Sequence, residues 1–121
     1  MPRVEITPAD LVRTGTGIGA AGTEVTGDAT NQHMFLNNGR EFLLARNSSG
    51  ATTRNVTLVP AQTVDGQAVA GIGIAVLLSS TKVIGPFPPG IYNQISGADI
   101  GKCYFNVDHA DLRFQVFRVT G

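Results

Sequence analysis

Two stretches of this chain alternate apolar and polar residues with a period of two, and that period constrains the fold more than any other feature. In "KCYFNVD" (102–108), Cys103, Phe105 and Val107 alternate with Tyr104, Asn106 and Asp108. In "LRFQVFRV" (112–119), Leu112, Phe114 and Val116 alternate with Arg113 and Gln115. Such spacing sends successive side chains to opposite faces of an extended strand, one face to a core and one to water. Towards the end of the second stretch Phe117 and Val119 fall on the other face. That predicts cover on both sides there, from a partner or from the N-terminal segment.

Further short runs rich in β-formers lie at 3–6, 33–37, 41–46, 54–61, 63–69, 72–78 and 81–87, separated by turn residues. In 54–61, Val56 and Leu58 point one way and Asn55 and Thr57 the other. The Asn38-Gly39 step favours a tight turn between 33–37 and 41–46, and Asp65-Gly66 a turn inside 63–69. Helix signals are scarce. Only "TPADLVRT" (7–14) reads as a turn of helix, with Thr7 as N-cap, Pro8 at the first helical position and Asp10 in the first turn. Residues 15–32 carry few bulky side chains and read as an extended arm or long loop. The expectation is an all-β, single-domain β-sandwich or jelly-roll-like arrangement of antiparallel sheets at 33–121. An N-terminal arm at 1–32, made of the helical turn and a Gly-rich linker, precedes it.

Composition narrows the function. The chain has 121 residues, enough for one core and too few for two domains of ordinary size. Nine Lys and Arg balance nine Asp and Glu, and no basic run stands out, which argues against nucleic acid as a partner. Apolar residues reach 42% and charged residues only 15%, a balance that fits a folded chain whose surface is partly covered by copies or partners. The single cysteine, Cys103, has no internal disulfide partner and sits among β-formers as a buried small hydrophobe. "MPRVEITPAD" has no apolar stretch of the signal-peptide kind, and the run at 68–78 is shorter than the roughly 18 residues of a membrane span. The expectation is a soluble protein made in a cytoplasm, with no membrane partner.

Motifs for chemistry are weak. "GIGAAG" (17–22) matches G-x-G-x-x-G, but a dinucleotide site needs a strand before it and a helix after it, and neither is predicted. A flexible glycine-rich linker is the simpler reading. His109 lies between Asp108 and Asp111, and a turn explains it better than a metal, since no further His or Cys stands at ligand spacing. His33 reads as a strand-edge residue. No G-x-S-x-G elbow, P-loop or paired C-x-x-C occurs. "NSS" (47–49) and "NVT" (55–57) match the glycosylation acceptor pattern and carry no weight without a secretory signal. Asn47 reads as a loop residue and Asn55 as a strand start. No catalytic residue, cofactor or metal site is expected.

The segment "VIGPFPPGIYNQ" (83–94) is stiff, apolar and uncharged. Pro86, Pro88 and Pro89 donate no hydrogen bond, so it cannot be a central strand. Prolines fix φ in advance, and Phe87, Ile91 and Tyr92 then sit on a rigid frame. Two readings remain: a lid over the end of the sandwich with Phe87 and Tyr92 partly buried, or a preformed contact surface.

"ITPADLVRTG", "DATNQHMFLNNGREFLLARN", "VTLVPAQTVDGQAVA", "KVIGPFPPGIYNQ" and "LRFQVFRV" together resemble a family of small structural proteins of tailed bacteriophages, the head decoration or cement proteins. The resemblance covers nearly the whole chain. It is most specific at "TVDG" and "IGPFPPGIYNQ" and weakest over 15–32. It implies a non-enzymatic protein with no cofactor that binds the outside of the major capsid protein lattice. It also implies a homo-oligomer, a trimer by preference or a dimer, residing on the virion exterior after synthesis in the bacterial host cytoplasm. On this reading Leu11, Val12 and Arg13, an apolar pair and a cation outside the predicted core, anchor the arm on the capsid or a neighbouring copy. Phe87, Ile91 and Tyr92 supply the second contact. Two alternatives stay open. A carbohydrate- or host-surface-binding module would need aromatic platforms, and the chain has no Trp and only Tyr92 and Tyr104. A small cupin-like enzyme would need more metal ligands than His33 and His109.

Overall fold

The computed structural model describes residues 3–13, 15, 24–61, 63–64, 67–68, 71–95 and 97–119. In chain order the elements are β1 (Val4–Glu5), β2 (Ala9–Asp10), β3 (Val25–Thr26), β4 (His33–Leu36), β5 (Glu41–Asn47), β6 (Arg54–Val59) and β7 (Thr63–Val64). Then follow β8 (Gln67–Ala68), β9 (Ile72–Val76), β10 (Thr81–Ile84), α1 (Pro89–Tyr92), β11 (Lys102–Val107) and β12 (Leu112–Arg118). One sheet has the order β1-β4-β11-β6-β9; the other has β10-β5-β12-β2, with β3 also on β12; β7 and β8 pair separately. Both large sheets are mixed, because β1 runs parallel to β4 and β2 parallel to β12 while the other pairs are antiparallel. The fold is therefore all-β and sandwich-like.

The period-two reading holds in detail. Cys103, Phe105 and Val107 are buried and their neighbours half-buried; Val56 and Leu58 are buried between half-buried or exposed neighbours. The two inner faces meet in one aromatic cluster. The Phe105 ring of the first sheet meets Phe114 of the second edge-on, with ring centres 5.0 Å apart. Phe35 contacts Phe105 and Phe87, and Leu43, Ala45, Val56 and Val116 fill the space around them. Edge-to-face contacts of this kind add to the area term that drives burial.

Several expectations are corrected. The turn of helix expected at 7–14 is absent from its described residues, 7–13: Ala9 and Asp10 pair with Phe117 and Arg118 as β2. Local capping chemistry loses to a long-range ladder. Segments of the expected N-terminal arm also join the sheets. β1 is bonded to β4, and Val25 of β3 packs against the core. Arg3 donates to the carbonyls of His33 and Phe105 and to Asn106 Oδ1 and lies 4.1 Å from the Tyr104 ring centre. The N-terminal segment also runs beside Phe117, which is 2% exposed and stacks on Phe42. Gly27 is held where no side chain fits, since an added Cβ would lie 2.8 Å from the His109 carbonyl oxygen. The Asn38-Gly39 step does turn the chain, with Gly39 at φ 89°, but it joins β4 and β5 of different sheets rather than a paired hairpin. Residues 17–22, with the glycine motif, and 65–66, with the Asp-Gly step, lie outside the described residues.

His33 is a core residue, not a strand-edge one. It is fully buried, stacks on Phe105 at 5.3 Å, and its Nε2 accepts the Asp28 N–H at 2.8 Å. Burial pushes its pKa down from 6.5, ahead of the opposing influence of the Val4 backbone and Asp28 and with the aid of Arg3. The unfolded chain therefore takes up this proton first as pH falls. His33 contributes stability above about pH 6.5 that is lost progressively below it. Urea unfolding between about pH 7 and 5 should show a declining midpoint, and His33→Gln, though less stable overall, should lack that part of the decline.

Candidate contact surfaces

The six residues singled out by sequence separate into three places. Phe87 and Tyr92 turn into the core, 1% and 8% exposed, with ring centres 5.7 Å apart. They anchor the proline segment and cannot touch a partner. Ile91, on the short α1, is exposed. It lies on the segment that carries the exposed Ile95 and Ile100. Leu11, Val12 and Arg13 follow β2, where the Leu11 N–H donates to the Arg118 carbonyl at 3.0 Å and the chain then turns through a Gly15 N–H bond to Val12 O. Val12 and Arg13 are exposed there.

At that end of the β10-β5-β12-β2 sheet lies a groove of 570 Å³ lined by Gly39, Arg40, Glu41, Phe42, Val83, Gly85, Pro86 and Val119. Its position follows from register. Val83 lies beside Leu44 and Ile84 beside Leu43, so Gly85 arrives over Phe42, whose Cβ is 3.2 Å from where a Gly85 Cβ would be. Gly85 adopts φ 132°, and the Gly85–Pro86 bond is cis. Across the sheet the Val119 N–H donates to the Arg40 carbonyl, which sets Val119 on the far wall. Val83 is 63% exposed and Val119 53%. The start of the stiff segment and the Leu11–Arg13 turn are thus brought to one end of one sheet.

Two side chains that sequence reasoning passed over hold this end in shape. Asn37 is 2% exposed, and its Nδ2 donates to the Phe87 carbonyl at 2.8 Å and to Asn93 Oδ1 at 2.7 Å. Asn93 Nδ2 returns a bond to the Asn37 carbonyl, and Asn37 Oδ1 accepts the Gly39 N–H. Glu41 is fully buried; its carboxylate accepts the N–H groups of Asn38 and Arg40 and pairs with Arg118. Asn47 does the same work at the opposite end of β5. It is a buried strand residue rather than a loop residue, with Nδ2 donating to the carbonyls of Thr52 and Val76. Its amide is thus committed to the interior.

The groups that suggested chemistry are engaged structurally. Burial raises the Cys103 thiol to about 12, so it is protonated and unreactive at neutral pH. His109 Nδ1 accepts the Asp111 N–H within the turn joining β11 to β12, and Asp111 also pairs with Arg54. Among the described residues no group of three or more His, Cys, Asp or Glu is placed to hold a metal ion. Removing the Asn37 amide takes this donor from the Phe87 carbonyl and Asn93 Oδ1 and this acceptor from the Gly39 N–H. Asn37→Ala should cost about 2–3 kcal/mol in urea unfolding; a loss below about 0.5 kcal/mol would show that water replaces the amide without penalty.

No protein family, curated protein or solved structure gives a significant match to this chain.

Proposed function

We propose that this protein is a bacteriophage head decoration protein. It binds the outside of the major capsid protein lattice through the groove end of its second sheet and stabilises the shell without catalysing a reaction. The observation that carries this reading is the apolar groove that Val83, Pro86 and Val119 line at one end of the second sheet, the end at which the exposed Val12 follows β2. A preformed, largely apolar surface loses little entropy on docking. Attachment through several copies converts weak single contacts into firm binding. The sequence resemblance to tailed-phage cement proteins gives the partner. On this reading the protein acts as a homo-oligomer on the virion exterior, after synthesis in the host cytoplasm. The contact set becomes Leu11, Val12 and Arg13 with Val83, Pro86 and Val119, and Ile91 belongs to a second exposed patch.

Sugar binding has less support. Tyr92 is buried, and Arg3 occupies one face of Tyr104, which leaves at most a single tyrosine face for stacking. A cupin-like metal site has none of the required convergence, since His33 lies in the core and His109 in an exposed turn.

The test is co-sedimentation with expanded, undecorated capsids. The protein should bind at a saturable, fixed ratio to the major capsid protein. Val83→Asp, at an exposed position, should weaken binding by at least roughly tenfold while Ile95→Asp leaves it unchanged. No binding at any ratio contradicts the proposal. Weakening by Ile95→Asp alone moves the contact to the Ile91–Ile100 patch.

A further inference from the structure

The open edges of the two sheets differ in how they are guarded. β1, β2 and β3 are two residues long. β10 carries Lys82 and runs into Pro86. Short edges, an edge lysine and a nearby proline are the usual devices that keep a strand from pairing with another molecule. β9 has none of them. It reads Ile-Gly-Ile-Ala-Val, continues into Leu77 and Leu78, and ends its sheet beside β6, with no further strand on its outer side among the described residues.

The hydrogen-bond alternation shows which groups of β9 face outwards. The Asn37 N–H bonds to the Gly101 carbonyl, and the Val107 N–H to Gln32 Oε1, so odd residues of β11 face β4. Even residues face the other way, as the Gln94 N–H bond to the Lys102 carbonyl shows. Tyr104 and Asn106 therefore bond towards Val59 and Thr57 of β6, which leaves Val56 and Leu58 bonding to Ile74 and Ile72 of β9. The N–H and C=O of Gly73 and Ala75 point away from the sheet, and both residues are exposed.

We propose that β9 pairs antiparallel with β9 of a second copy, about a two-fold axis at Ile74. In that register Gly73 of each copy lies opposite Ala75 of the other, and every outward N–H and C=O of these residues finds a partner. Ile74 meets Ile74 across the axis, and Ile72, 47% exposed in the single chain, lies opposite Val76, which is already buried in its own copy. No charge opposes a like charge, and the apolar layer under β6 and β9 continues from one copy to the next. The register is self-complementary, which is why the occupant is a second copy rather than an unrelated strand. The closed assembly is a dimer. It forms without a capsid, so its test is independent of the capsid reading.

Sedimentation equilibrium of the full chain should give twice the 12.7 kDa chain mass. Ala75→Pro removes an N–H that β6 does not use and that only the second copy accepts, so it should keep the β circular dichroism spectrum and weaken dimerisation at least roughly tenfold. Hydrogen exchange on the unmodified protein gives a second readout: the Gly73 and Ala75 amides should gain protection as concentration rises. A monomer at every concentration overturns the proposal. So does a trimer, a dimer that Ala75→Pro leaves unchanged, or fast exchange of those two amides in the associated state.

Discussion

A pair of asparagines, Asn37 and Asn93, holds together the parts of this molecule that the backbone ladders do not. At Asn37 the chain leaves one sheet for the other, and the ladder that satisfied β4 ends. Buried backbone groups at such a crossing need partners. The Asn37 amide supplies them for the Phe87 carbonyl and for Asn93, and Asn93 closes the loop back to Asn37. Glu41 satisfies the N–H groups on the other side of the turn. Asn47 repeats the device where β5 ends and the chain crosses again. Each sheet-to-sheet crossing on β5 is therefore sealed by a buried amide, and the sandwich owes its closed ends to them.

This arrangement explains the division of labour within the proline segment. Fixing the Phe87 carbonyl turns its ring inwards against Phe35, with Tyr92 stacked edge-on behind it. The same anchor leaves Val83 and Pro86, on the sheet side of the segment, facing out over Phe42. One half of the segment is core and the other half is surface. The rigidity that suits a contact surface comes from the half that cannot touch a partner.

Strands with a period of two were legible from the sequence to within two residues, as at β6, β11 and β12. At β6 and β11 burial on one face alone decides the pattern, while at β12 Gln115 and Phe117 are buried on the second face as well. Signals that depend on what lies across space were not legible. Thr7, Pro8 and Asp10 satisfy the local rules for a helix start, yet Ala9 and Asp10 gain more from a ladder with residues more than a hundred positions away. Asn38-Gly39 specifies a turn but not which strand the returning chain will pair with. The segment 83–94 has no periodicity, so nothing in it says that Phe87 faces in and Val83 out. That depends on Gly85 at a positive φ and on an asparagine fifty residues earlier. His33, beside Met34 and Phe35, carries no mark of burial except its apolar neighbours. Of the residues expected at a contact surface, Val12 and Arg13 lie exposed at the groove end, Leu11 is half-buried beside them, Ile91 is exposed elsewhere, and Phe87 and Tyr92 are core.

The functional account joins a rigid apolar edge to the resemblance with phage cement proteins, and its central claim is an orientation: the groove end faces the shell. Cryo-electron microscopy of heads decorated with this protein tests it most directly. The account predicts that Val83, Pro86 and Val119, with the Leu11–Arg13 turn beside them, lie against the major capsid protein. Density that places this end towards solvent, with the shell contacting another part of the sandwich, would contradict it.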